Sequence, residues 1–144
     1  APLPMKFEAG TQNFASAATL KPAIDVANKL NDNKLVENLD SIRDYLLDYF
    51  RKDERIRLYG VPRGTNEEKI PLFSFSVKGV HHEDLALILD KMGVAVRSGQ
   101  MCAEPLMDRF GVTGMLRVSF APYNTLEEAE YFVKCLNKAI DMLL

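Results

Sequence analysis

Cysteine is scarce in this chain of 144 residues, which contains only Cys102 and Cys135. The two cysteines form no short-spaced pattern, so the sequence indicates neither a disulfide framework nor a zinc site. An excess of charge of one sign is also lacking, because the formal net charge is −2. That balance excludes the strong positive field that holds nucleic acid or an anionic membrane surface.

Long apolar runs are missing as well. Runs such as "LALIL" are far too short to span a bilayer. The first residues, "APLPMKF", do not place an apolar segment after a basic one, so we expect no signal peptide. A chain that is 47% hydrophobic and 26% charged has the composition of a globular domain with its own core. We therefore expect a cytoplasmic protein that binds neither nucleic acid nor membrane.

The apolar spacing predicts an α+β domain with helices on one face of a small, mostly antiparallel sheet. Pro22 interrupts the first helix, where it marks either a kink or the first turn of a second helix capped near Thr19. Gly93 ends the third helix, and a capping box of Thr125 and Glu128 opens the last one. The predicted helices are 13–30, 33–50, 82–92 and 125–144, and the predicted strands are 55–59, 70–77, 94–97 and 115–120.

Two arginines are predicted to share one face of the sheet. Side chains alternate along a strand, so Arg97 points to the face opposite that of Val96. In the same way, Arg117 points to the face opposite that of Leu116 and Val118. If the valine and leucine faces meet the helices, both arginines project from the uncovered face. They form an anion site there, or they are simply two solvated charges on an open sheet.

The two cysteines receive opposite interpretations. Cys135 has helical spacing beside apolar residues of the last helix, which predicts a packing role. Cys102 follows a strand and a glycine and lies outside any apolar period, so it is either a small buried hydrophobe or a nucleophile on a loop. His81 and His82 are adjacent and lack a third ligand cluster, so we expect them to begin a helix and predict no metal site.

Three segments resemble a known family. "FEAGTQN", "GVAVRSGQMCAEPLM" and "LRVSFAPYNTLEEAE" occur in this order, at separations similar to those in the C-terminal portion of group II cysteine desulfurases and selenocysteine lyases. These enzymes belong to the class V aminotransferase branch of the fold-type I pyridoxal phosphate (PLP) enzymes. The resemblance implies the fold of the small C-terminal domain of such an enzyme, with 1–30 as a connecting segment and linker helix and 31–144 as the small domain.

The resemblance also implies roles for five residues. Cys102 matches the nucleophile that takes the sulfur of L-cysteine as a persulfide and releases L-alanine. The persulfide then supplies sulfur for iron–sulfur cluster assembly. Arg117 matches the residue that binds the substrate carboxylate, and Arg97 matches the active-site arginine before the loop. Gly10 and Thr11 match the segment that reaches the PLP phosphate of the partner subunit in a homodimer. The short spacing between Arg97 and Cys102 implies a dedicated sulfur-acceptor protein as partner.

Some family features are missing from the sequence. No Ser-x-His-Lys motif for the Schiff-base lysine occurs, and Gln100 and Met101 stand where many relatives carry histidines. We therefore expect part of a longer enzyme, inactive on its own. Two alternatives remain at this stage: a selenocysteine lyase, or a non-catalytic module that relays sulfur through Cys102 or binds a partner.

Overall fold

The computed structural model describes residues 2–30, 33–60 and 69–144, so the predicted turn between the first two strands lies largely outside the described residues. The chain divides into two compact units, Ala1–Asn33 and Lys34–Leu144. The first unit contains a short 3-10 turn, Met5–Phe7, and helix α1, Phe14–Leu30. None of the α1 residues is buried.

Helix α1 begins where the sequence predicts and continues through the proline. The Ser16 N–H donates to Oδ1 of Asn13 at 3.2 Å, which caps the first turn. Pro22 lies inside one continuous helix, so the alternative of a second helix starting near Thr19 is wrong. The Thr19 hydroxyl instead donates to the carbonyl of Ser16 within the helix.

The second unit is built on an antiparallel sheet. Among the described residues its four strands lie in the order β1-β2-β4-β3. In chain order the elements are α2 (Asn33–Lys52), β1 (Ile56–Tyr59), β2 (Leu72–Val77), α3 (His82–Lys91), β3 (Arg97–Gly99), α4 (Glu104–Phe110), β4 (Met115–Ser119) and α5 (Leu126–Leu143).

One face of this sheet forms the core with α2, α3 and α5. Phe73 and Phe75 of β2 and Leu116 of β4 are completely buried. The ring of Phe50 on α2 lies with its centroid 5.0 Å from that of Phe75, and Phe132 of α5 packs edge-on against Phe75. We call this the covered face. Its apolar alternation confirms the predicted arrangement of helices on one side of the sheet.

The opposite face, called here the open face, carries the short helix α4, which the sequence did not predict. Met107 of α4 is buried against Tyr59 and Met115, whose side chains lie on this face. Gly111 ends the helix in the left-handed conformation, with φ of 69°. The chain after β3 therefore turns back over part of the open face, while Arg97 and Ser119 on the same face stay exposed among the described residues.

Strand β3 begins later than predicted. The expected strand was 94–97, but hydrogen bonding to β4 runs from Arg97 to Gly99. The Val94 N–H instead donates a hydrogen bond to the carbonyl of Leu89, near the end of α3. Val94 and Val96 still pack against the core, so the predicted alternation of burial is correct although the ladder starts later.

Candidate active site

Two arginines lie side by side on the open face. Arg97 of β3 is the direct cross-strand partner of Arg117 of β4. Directly opposed side chains project from the same face with Cβ atoms about 4.5–5.5 Å apart. The neighbours of Arg117 along β4, Leu116 and Val118, are buried in the core, so the guanidinium groups point away from it. The predicted shared face is therefore confirmed.

Neither arginine is neutralised within the described part of the chain. The ion pairs found there involve Arg43, Arg55 and Lys21, and none includes Arg97 or Arg117. Like charges directly opposed across two strands repel each other. Two planar guanidinium groups held together without a carboxylate form a geometry suited to a bidentate carboxylate ligand.

The loop that follows β3 presents the thiol of Cys102. Met101 and Cys102 both have φ of 58°, in the left-handed region that residues other than glycine rarely occupy. The Ala103 N–H donates to the carbonyl of Gln100 at 3.0 Å, which closes the turn, and α4 starts at Glu104. Cys102 is exposed and free, so it is not the buried hydrophobe of the alternative interpretation.

Cys135, by contrast, is a core residue. It is 5% exposed and belongs to the cluster between α5 and the covered face, as predicted. The two cysteines of this chain therefore occupy opposite environments, one closed to reagents and one open to them.

Sequence reasoning missed two residues that extend the arginine row. Tyr59 pairs with Ser74, and Ser74 pairs with Arg117, so these side chains lie in one line across the open face with Arg97. A cavity of about 190 Å³ opens between this line and α4, lined in part by Tyr59, Ser74 and Phe110. The alternating pattern "FSFSV" in β2 is the signal that could have placed Ser74 there.

Gly10 and Thr11 belong to the first unit. Gly10 has φ of 80°, a left-handed conformation that favours glycine. Thr11 is exposed, and its hydroxyl makes no hydrogen bond with a described residue. This segment therefore offers a free hydroxyl beside a glycine turn.

No described helix is long and apolar enough to cross a membrane. In a comparison with protein families, the family model described as "Aminotransferase class-V" matches residues 1–132.

The similar proteins are named cysteine desulfurases. A probable cysteine desulfurase of Vibrio cholerae is 40% identical over 98% of this chain and 34% of its own length. The cysteine desulfurase CsdA of Escherichia coli is 34% identical over 98% of this chain and 34% of its own length. The chain thus spans about a third of the curated relatives that it matches.

Solved structures give the same result. The crystal structure of Escherichia coli CsdA superposes with a TM-score of 0.81, covering 98% of this chain and 34% of that one. The apo structure of a cysteine desulfurase from Thermococcus onnurineus superposes with a TM-score of 0.79 at 33% identity, covering 97% of this chain and 34% of that one. These superpositions confirm the predicted fold, and the family match over most of the sequence shows that this chain belongs to the class-V aminotransferases.

Proposed function

We propose that this chain supplies the sulfur-accepting thiol and the substrate-carboxylate site of a PLP-dependent cysteine desulfurase of the group II kind. In this proposal the enzyme converts L-cysteine to L-alanine and leaves a persulfide on Cys102, which supplies iron–sulfur cluster assembly. The names of the similar proteins support the desulfurase activity. The roles of the individual residues are those that the family resemblance implies, and the geometry described above supports them.

The observation that carries the proposal is the register of β3 against β4. It places Arg97 directly beside Arg117 on the open face, without a carboxylate from the described residues to neutralise either. In the proposal Arg117 binds the α-carboxylate of L-cysteine through its planar fork, and Arg97 adds a second positive charge. Such a contact fixes the amino acid at one end and leaves its thiol end free to reach the loop.

Cys102 lies five positions after Arg97, on the loop that leaves the same strand. In the proposed reaction its thiolate attacks the sulfur of the bound L-cysteine. A sulfur–sulfur bond forms while the carbon–sulfur bond of the substrate breaks. The sulfur atom stays on Cys102, and its exposure allows a sulfur-acceptor protein to reach it.

The residues present fit part of a PLP site. PLP, when bound, withdraws electrons from the substrate and makes its carbon–sulfur bond breakable. Gly10 and Thr11 are the residues of this chain that we propose as contacts to its phosphate, because a glycine turn followed by a free hydroxyl suits an anion. No Ser-x-His-Lys motif is present in the sequence, so another part of the enzyme would supply the lysine.

We further propose that 1–30 serves as the connecting segment of the enzyme and 31–144 as its small domain. Several apolar side chains of the first unit, including Phe14, Leu20 and Ile24, are more than half exposed. That exposure supports a role in contacts with the rest of a homodimeric, cytoplasmic enzyme.

The decisive experiment replaces Cys102 with serine in the full-length, PLP-loaded protein. We expect alanine release from L-cysteine and persulfide formation to be abolished, because the serine hydroxyl cannot accept the sulfur. The visible absorbance of bound PLP should be unchanged. Cys135→Ala is the matched control, because it removes the buried thiol and should leave turnover intact.

Retained alanine release and persulfide formation in the serine variant would contradict the proposal. A parallel assay with L-selenocysteine separates the desulfurase from a selenocysteine lyase. Turnover restricted to the selenium substrate would reassign the activity while keeping the site.

A further inference from the structure

A second cavity, of about 460 Å³, lies at the end of β2 and the start of β4. It shares no residue with the arginine pair or with Cys102. A volume of this size is within the usual range of small-molecule sites. The residues that line it and carry polar groups include Arg57, Ser76, Lys78, His81, His82 and Thr113.

The charges around this cavity are of one sign. Arg57 and Lys78 are exposed, and neither forms an ion pair with a residue that the structure describes. The Arg57 guanidinium lies 4.9 Å from the centre of the Tyr59 ring, which also lines the cavity. No acidic side chain is among the described lining residues. Two unneutralised cations on one concave surface concentrate anions.

The two histidines add hydrogen-bond donors. Nδ1 of His81 accepts the N–H of Glu83 at 3.4 Å, so the neutral ring carries its proton on Nε2. The His81 ring stacks on that of His82 with centroids 4.4 Å apart. Burial, followed by the neighbouring His81, lowers the pKa of His82 from its usual value, and Glu83 opposes part of this shift.

One nitrogen of His82, Nδ1, has no hydrogen-bond partner among the described residues. The residue is 9% exposed, and its Nδ1 is shut off from solvent. Its Nε2 faces Gly114, another residue of the cavity wall, so closely that an added Cβ at this position would clash with the ring. An unsatisfied buried imidazole nitrogen is unusual in a folded protein, but because Nδ1 is closed to solvent it adds no direct contact for a ligand in the cavity.

We propose that this cavity binds the phosphate group of a small anion, either free phosphate or a phosphate ester. A phosphate dianion matches two cations and several donors on different elements, whereas one carboxylate would leave part of this set unused. The cavity has room for a small organic group beside the phosphate. This inference is independent of the desulfurase function, because it uses none of the residues proposed for that reaction.

The test is calorimetric titration of the full-length protein with inorganic phosphate and with glycerol 2-phosphate, in phosphate-free buffer. We expect saturable binding at one new site per chain. Arg57→Gln and Lys78→Gln should each weaken it at least tenfold, because each removes a charge-assisted contact. Lys91→Gln, which removes an exposed lysine of α3 that does not line the cavity, and Arg117→Gln should leave binding unchanged.

A second readout is independent of any substitution. The imidazole signals of His82, which lines the cavity, should shift during the phosphate titration, because a bound dianion changes the electrostatic field at the ring. Tighter binding of the ester would identify a phosphorylated molecule as the ligand, and equal or tighter binding of free phosphate would identify the ion. The proposal is overturned if neither probe binds, if both cation variants bind normally, if Arg117→Gln weakens binding equally, or if the His82 signals stay fixed.

Discussion

The covered face and the open face of the sheet are made by the same strands and have different roles. On β2, Phe73 and Phe75 are completely buried, whereas Ser74 between them lies on the open face. On β4, Leu116 and Val118 join the core while Arg117 between them stays unpaired within the described chain. A period of two thus separates the residues that stabilise the fold from those available for binding.

The two faces also differ in whether their arginines have carboxylate partners. At the edge of the covered face, Arg55 is fully engaged: it contacts the carboxylates of Asp53 and Asp141 at 2.7 and 2.8 Å. On the open face, Arg97 and Arg117 face each other with no such partner among the described residues. Charges that stabilise the protein are neutralised internally, and charges that we assign to the substrate are kept free of internal partners.

The largest expected effect comes from breaking the covered face. Phe75→Ala should lower the free energy of unfolding by about 3–5 kcal/mol, because it empties a site packed by Phe50 and Phe132. Ser74→Ala, one residue away on the open face, should change it by no more than about 0.5 kcal/mol. Urea denaturation measures both, and equal losses would show that the two faces are not energetically distinct.

A smaller effect should follow removal of an internal partner. Asp53→Asn should lower the free energy of unfolding by about 1–2 kcal/mol at pH 7, because the carboxylate binds both the side chain and the backbone N–H of Arg55. Hydrogen bonding from Arg55 holds the pKa of Asp53 below its usual value. Its contribution is therefore complete above about pH 5 and is lost as the pH falls through the folded-state pKa.

The measurement is urea denaturation from pH 3 to pH 8. The gap between wild type and Asp53→Asn should be constant at neutral pH and should narrow in acid. Asp48→Asn, which changes an exposed aspartate on α2, is the matched control. A gap that widens in acid would contradict the assigned direction.

The smallest effect is expected on the open face, with opposite sign. Arg97→Gln or Arg117→Gln should raise the free energy of unfolding by about 0.5 kcal/mol, because it removes the repulsion between opposed like charges. The free energy of unfolding of the double variant should exceed that of neither single variant, and added salt should reduce the increase.

In the full-length enzyme Arg117→Gln should also raise KM for L-cysteine. A destabilised variant with unchanged KM would contradict both the repulsion and the substrate-binding role.

Much of this fold was predictable because its signals are local. The capping box of Thr125 and Glu128 is present, with the Glu128 N–H donating to the Thr125 hydroxyl and the Glu128 carboxylate accepting the Thr125 N–H. The buried positions of α2 and α5 follow the helical spacing of their apolar residues. The shared face of Arg97 and Arg117 followed from alternation alone.

Other features depend on contacts that a sequence pattern does not contain. Helix α4 has seven residues, too few for a clear period, and only its contact with the open face reveals its place. The direct pairing of Arg97 with Arg117 depends on register, which distant strands decide. The left-handed conformation of Met101 and Cys102 runs against residue preference. The roles of the candidate site residues stay predictions.

The strand order has a consequence for how the domain folds. Strand β4 is the last strand in the chain, yet it lies inside the sheet between β2 and β3. Its pairing with β2 joins residue 72 to residue 119, a long loop to close, so this step is slow relative to local structure. Before β4 pairs with its neighbours, no hydrogen-bonded strand connects β3 to the hairpin of β1 and β2. A ribosome that has not passed residue 119 has therefore produced neither a closed core nor a paired set of arginines.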